Sequence, residues 1–242
     1  MKIIILQSNE PDNGKISANE IHSALSNINC KGGMLVLPEA FDTGWNVGDF
    51  RDFGNGAIPL MRELSHTYGM SVCGSTYVDL GGSIRNRFFV ATEDGQEYFC
   101  DKRHLFGDFE RKEVTKGDTV LTFPIHDLVF RAVVCYDLRF PVWCRNSQNA
   151  PYDVLLCVSQ WPESRIIDRT ALLAARAMEN VAYVVNSNGL GGSMIFGPDG
   201  LMQAKIDNGI SWVECEIDSS KLIQYRSHRK YLADSDNFSI SM

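Results

Sequence analysis

The sequence predicts an α/β sheet protein with helical layers outside. Short apolar, β-branched runs recur along the whole chain, as sheet strands do. Amphipathic helical patterns separate them early and late. Hairpin-like pairs, "VATEDGQEY" and "FGPDGLMQA", lie in the middle and near the end. No Pro/Ser-rich linker, repeat or low-complexity tract interrupts the pattern, so a single domain over residues 1–242 is expected.

The elements follow in order. "IIILQ" (3–7) reads as the first strand. Residues 17–29 read as a helix, with Ile21, Ala24, Leu25 and Ile28 on one face and Ser17 and Glu20 as a capping box. "MLVLPE" (34–39) is a strand, and residues 59–68 are a helix carrying Leu60, Met61, Leu64 and Tyr68. Strands follow at 71–78, 87–92, 97–102, 128–136 and 153–159. Residues 164–180 carry the strongest helical pattern, with Ile167, Ala171, Leu172, Ala174, Ala175 and Met178 expected as its buried stripe. Strands at 182–188, 192–198 and 212–218 complete the sheets, and residues 227–242 read as a polar arm.

Composition narrows the function. The chain is 44% hydrophobic and 22% charged, with formal net charge -7. A general nucleic-acid binder needs a basic face, which argues against that class. The opening "MKIIILQSN" is too short an apolar run for a secretory leader, and no stretch approaches the length of a membrane span. A cytoplasmic protein without membrane or nucleic-acid partners is expected.

The seven cysteines are irregularly spaced, with no Cys-x-x-Cys pair. Cys73, Cys100, Cys157 and Cys215 lie inside strand-like runs and read as small buried hydrophobes. Neither cysteines nor histidines show metal-ligand spacing, so no metal is expected.

Three chemically capable residues close apolar strands: Glu39 after "MLVLP", Lys102 after "EYFCD" and Cys135 after "LVFRAVV". Carboxyl ends of strands are where α/β sheets bind ligands. Each residue has a plainer reading alone: a turn cap, a surface charge, a core cysteine. Together they support nucleophilic catalysis. A thiol needs a base to become a nucleophile, and no histidine stands near Cys135. A buried carboxylate such as Glu39 can take that role. Lys102 and the backbone N–H of Tyr136 suit an oxyanion.

"VLPEAFDTGW", "CDKRHLFGDFERKEVTKGD" and "VVCYDLRFPVW" resemble the three blocks of the nitrilase, or carbon–nitrogen hydrolase, superfamily. The resemblance runs over most of the chain and is closest to the omega-amidase branch. It implies a four-layer α-β-β-α sandwich and a Glu–Lys–Cys triad: Glu39 as base, Lys102 on the oxyanion, Cys135 as nucleophile. It implies a supporting glutamate, best matched by Glu110, with Glu113 as the other candidate. It also implies a small α-keto acid monoamide as substrate, no cofactor, and a homodimer or larger homo-oligomer.

A substrate carboxylate calls for a cation. Arg139 is the candidate, with the competing reading that it ties its own turn through Asp137 or a carbonyl. Phe41, Trp45 and Trp161, with Pro162, are candidate pocket walls, and the aromatics are equally candidates for the core. Arg176, Glu179 and Asn180 suit a structural role, since Arg176 and Glu179 are spaced to pair on a helix.

Competing functions are an N-carbamoyl-amine hydrolase or other aliphatic amidase, nitrile hydrolysis, and a non-catalytic binding protein on the same fold. A cysteine phosphatase would need arginine where Pro141 stands, and a papain-like hydrolase would need a histidine block. A redox sensor would need Cys144 to reach Cys135.

Overall fold

The computed structural model describes residues 1–8, 14–26, 28–29, 31–44, 56–206 and 212–236; Cys30 and Trp45 lie outside them. Two six-stranded sheets form the centre. The first has the order β12-β1-β2-β3-β4-β5. Its strands are β1 (Lys2–Leu6), β2 (Met34–Val36), β3 (Ser71–Asp79), β4 (Ile84–Ala91), β5 (Glu97–Asp101) and β12 (Trp212–Glu216). The second has the order β11-β10-β9-β8-β7-β6. It comprises β6 (Thr122–Ile125), β7 (Leu128–Val134), β8 (Val154–Ser159), β9 (Tyr183–Asn188), β10 (Met194–Phe196) and β11 (Met202–Lys205). In each sheet three strands run parallel, β1 with β2 and β3, and β7 with β8 and β9; the remaining pairs are antiparallel.

Strand periodicity assembles the layers. Ile3 and Ile5 point between the sheets, into one cluster with Val134, Leu156 and Val185 of the second sheet. Ile4 and Leu6 point the other way and join Ile21, Leu25, Met61 and Leu64. These belong to α1 (Ala18–Leu25) and α2 (Ala57–Tyr68). On the far side Val133, Leu155 and Val184 meet Leu173 and Ala177 of α5 (Ile166–Asn180). The layers are therefore α-β-β-α, the expected sandwich, with the parallel strands largely buried on both faces.

Helix α1 is too short to hold alone. Its predicted capping box forms, with the Glu20 carboxylate accepting from Ser17 N at 2.7 Å. A cap contributes about 1 kcal/mol. Fully burying Ile21 and Leu25 contributes about 1.5–3 kcal/mol each, so packing decides.

Helix α5 turns a different face inward from the one its apolar residues predict. Ile167 is 80% exposed and Met178 44%, while Arg169, Leu173, Arg176, Ala177 and Asn180 are buried. The reason is polar. Arg176 donates to Leu138 O at 2.9 Å, and Arg169 to Gly192 O at 2.8 Å. Two arginines spend their donors on loop carbonyls, which rotates the helix relative to an apolar-stripe reading.

Several elements lack a sequence signal. β6 is a four-residue edge strand containing Pro124, which an edge tolerates. α3 (Gly107–Glu113) buries only Glu110. The single turn α4 (Pro141–Cys144), by contrast, falls within the helix-like run "RFPVWCRN". α6 (Ser219–His228) buries only Leu222 and carries its chain past the start of the expected arm. It is anchored by Arg226, which donates to Asp153 at 2.7 Å and to Tyr152 O at 2.6 Å. Among the described residues, no helix is long and apolar enough to cross a membrane.

Candidate active site

β2, β5 and β7 deliver Glu39, Lys102 and Cys135 to one place. Glu39 stands three residues beyond the end of β2, while Lys102 and Cys135 directly follow β5 and β7. The Lys102 backbone is pinned on both sides, donating to Asn86 O and accepting from Gly117 N, each at 2.8 Å. Gly117 has no alternative there, because a Cβ would lie 2.1 Å from Asp101 O.

The side chains form a buried cluster. Lys102 Nζ donates to Glu39 Oε1 at 2.9 Å and to Glu110 Oε1 at 2.7 Å, with all three side chains fully buried. The second oxygen of Glu110 accepts from the backbone N–H of Phe106. Asn86 Nδ2 donates to Glu39 Oε1 at 2.9 Å, which leaves Glu39 Oε2 unengaged. Glu113 is exposed on the outer side of α3, so the structure separates the two glutamate candidates.

Electrostatics match this geometry. Burial works against the Lys102 charge, yet Glu39 and Glu110 hold the ammonium well above the ordinary lysine range. Burial pushes the Glu110 carboxyl up. Burial, and then the Glu39 charge, push the Cys135 thiol well above its ordinary value, while Lys102 and the Gln160 backbone N–H oppose them. Burial thus favours the neutral thiol at Cys135, and the neighbouring glutamates favour the charged ammonium at Lys102.

Cys135 opens the 3-10 turn Cys135–Arg139 with φ of 50°, a left-handed conformation unusual for a residue bearing a side chain. Such a residue costs about 1–3 kcal/mol and persists only where its surroundings hold it. Asp137 accepts from Val134 N at 3.1 Å and from His104 N at 2.8 Å, and Arg176 grips Leu138 O. The Arg176–Glu179 pair forms at 2.9 Å, as its spacing predicts, and its arginine also buttresses the turn.

Cys135 and Tyr136 line a cavity of about 580 Å³, together with Phe106, Arg139, Trp161 and Asp168. Arg139 does not pair with Asp137. It donates to Asp168 Oδ2 at 2.8 Å and lies 4.7 Å over the Trp161 ring. Trp161 and Pro162 wall the cavity as expected. Phe41 does not: it is fully buried on the helix-facing side of the first sheet, in the cluster of Leu6, Leu37 and Met61. Thr43 and Gly44 both donate to Ala40 O, a turn that carries Phe41 away from Glu39. Trp45 lies outside the described residues. Cys144 is fully buried in the outer cluster with Leu173 and Ala177, behind the turn that holds Cys135.

A family model described as carbon–nitrogen hydrolase matches residues 13–227. The chain belongs to the carbon–nitrogen hydrolase family. This hydrolase is 33% identical over 221 residues to the omega-amidase YafV of Yersinia enterocolitica, covering 85% of each chain. It is 28% identical over 211 residues to the 2-oxoglutaramate amidase of Bacillus subtilis, covering 80% and 81%. A crystal structure from Xanthomonas campestris, of a CN-hydrolase superfamily protein with an arsenic adduct in its active site, superposes with TM-score 0.88 at 26% identity. That match covers 100% of this hydrolase and 99% of the other chain. Nit3 of Saccharomyces cerevisiae, at 20% identity and TM-score 0.80, shares the fold. This is an omega-amidase-like hydrolase of carbon–nitrogen bonds other than peptide bonds.

Sequence reasoning passed over Asn86, Gln160, Arg165 and Asp168. Asn86 left one signal, an amide within the strand run "IRNRFFV". Gln160 Nε2 donates to Glu39 O at 2.7 Å and to Gly14 O at 3.2 Å, joining the two sheets' strand ends. Its amide fills a slot that a Cβ on Gly14 or Gly189 would close, at 2.1 Å and 2.3 Å.

Proposed function

We propose that this hydrolase releases ammonia from the terminal amide of small α-keto acid monoamides through a thioester on Cys135. The observation that carries the reading is the seating of Cys135 on a cavity wall with the buried Glu39–Lys102–Glu110 cluster behind it.

Glu39 takes the thiol proton as sulfur attacks the amide carbon. Lys102 and the Tyr136 N–H hold the oxyanion, where one such donor is typically worth about 10²–10³ in turnover. The C–N bond breaks as Glu39 returns the proton to nitrogen, and ammonia leaves. Water then gives a proton to Glu39 and attacks the thioester, with Glu110 holding Lys102 in place. The acid product departs and the thiol is restored. Burial disfavours the free thiolate, so in this reading the thiol loses its proton as it attacks the substrate. Arg139 faces the cavity and suits the substrate carboxylate; Trp161 supplies an apolar wall.

The reading includes one hydrolase domain over residues 1–242, a cytoplasmic setting, and pairing with a second copy. Exposed Ile167, Leu201 and Ile223 support the pairing, which light scattering tests. The function is tested by mass spectrometry of protein quenched during turnover of α-ketoglutaramate. An acyl adduct on Cys135 is expected. Full ammonia release by Cys135→Ala would overturn the reading.

A further inference from the structure

At the mouth of the cavity two arginines share one carboxylate. Arg139 Nη2 lies 2.8 Å from Asp168 Oδ2, and Arg165 Nη1 lies 3.6 Å from the same oxygen. All three side chains line the cavity that holds Cys135. They come from different elements: Arg139 ends the nucleophile's own turn, Arg165 ends the 3-10 turn before α5, and Asp168 sits in the first turn of α5.

The two guanidiniums are not equivalent. Arg139 is one-third exposed, lies over Trp161, and is fixed by a short bond to Asp168. Arg165 is 60% exposed and pairs with the same Asp168 oxygen at the longer distance of 3.6 Å. One guanidinium is held by a short bond and the other by a longer, more exposed ion pair, so Arg165 is the more readily drawn toward a new partner.

Two guanidiniums and one carboxylate leave one net positive charge among the described residues that line the mouth. An amide with one carboxylate balances it. A neutral amide leaves a guanidinium without a counter-charge, and a second substrate carboxylate meets Asp168 with no cation to spare. Exposed ion pairs are worth little, so an incoming carboxylate exchanges readily with Asp168.

We propose that Asp168 is a specificity-determining residue that limits the mouth to one net positive charge, and that Arg165 closes on the carboxylate of a mono-anionic amide. This rests on the amidohydrolase reading above and deepens it by setting the charge of the substrate.

Two measurements test it on the intact protein. The first compares kcat/KM for butyramide, succinamate and the terminal monoamide of tricarballylic acid, which carry no, one and two carboxylates. The second compares the alkylation rates of Cys135 by iodoacetate and iodoacetamide, read by peptide mass spectrometry. Arg165→Gln is expected to lower the succinamate-to-butyramide ratio about threefold, through KM, with Arg165→Lys restoring it. Asp168→Asn is expected to raise the ratio of the dicarboxylate amide to succinamate by about the same factor. The iodoacetate-to-iodoacetamide ratio falls in the first variant and rises in the second. Unchanged ratios in both variants, or shifts of the same sign, overturn the proposal. Failure of the wild type to hydrolyse α-ketoglutaramate as well as these amides instead removes the amidohydrolase reading, and the alkylation ratio still decides the charge count.

Discussion

Lys102 and Glu39 stand 63 positions apart in the chain and meet at 2.9 Å with both side chains fully buried. Glu110 takes a second donor of the same ammonium. Stability and chemistry are therefore tied together at this cluster.

Removing the cation strands two buried carboxylates. Lys102→Met is expected to abolish turnover and to cost about 3–5 kcal/mol in denaturant unfolding. The triple variant Glu39→Gln, Lys102→Met, Glu110→Gln recovers most of that stability and no activity. Equal stability of Lys102→Met and wild type would show the cluster to be wet.

Glu110 sets an acidic limit on activity. Burial raises its carboxyl above the ordinary carboxylate value, so it gains a proton at a higher pH than a solvent-exposed glutamate. Lys102 then loses a charged acceptor, and kcat/KM falls as pH drops through that raised value. Glu110→Gln is expected to be slower throughout and to lack this limb; a pH profile with the limb retained assigns it to another group.

Backbone conformation at Cys135 carries a measurable cost. A left-handed residue with a Cβ is strained where glycine is not. Both Cys135→Ala and Cys135→Gly are expected to be inactive, with the glycine variant more stable by about 1 kcal/mol in urea. The reverse order would mean that the turn is relaxed.

Arg176 and Glu179 separate support from pairing. Arg176→Met removes two donors from Leu138 O and is expected to cost about 1.5–3 kcal/mol and to lower kcat through the loosened Cys135 turn. Glu179→Gln leaves those bonds in place and changes stability by less than about 1 kcal/mol. Comparable losses in the two would place the effect in the ion pair.

Asp42 links stability to pH. Burial raises its carboxyl to about 6, against the hydrogen bond from Thr76 Oγ1 at 2.9 Å. Between the ordinary 3.8 and about 6 the folded chain keeps a proton that the unfolded chain has released, so this group's contribution falls as pH rises through that window. The Tm of Asp42→Asn relative to wild type is expected to rise from about pH 4 to about pH 7 and then level.

Much of this was legible in the chain. β1 and β7 announce themselves because strands covered on both faces are mostly apolar, broken only by the partly exposed Lys2 and Arg131. Ser17 and Glu20 announce α1 because a cap is a local bond. Glu39, Lys102 and Cys135 stand out because each is a reactive group just past the end of a strand. α3 gave no signal, since its one buried residue is a glutamate held by Lys102 and the Phe106 N–H. α5 was found, and its inward face was misjudged, because Arg169 and Arg176 bury guanidiniums on carbonyls that no periodicity reveals.

By itself the sequence indicated an α/β sheet protein with helices outside, and its motif blocks pointed to the family, because periodicity, caps and contiguous motifs are local and survive in one dimension. Only the tertiary structure decided that Glu110 rather than Glu113 holds Lys102, that Arg139 turns to Asp168 and not Asp137, and that Phe41 is core. Each of those is a meeting of groups from separate segments. Such choices are settled by which polar group finds a partner when water is excluded, and that is known only once the sheets have closed.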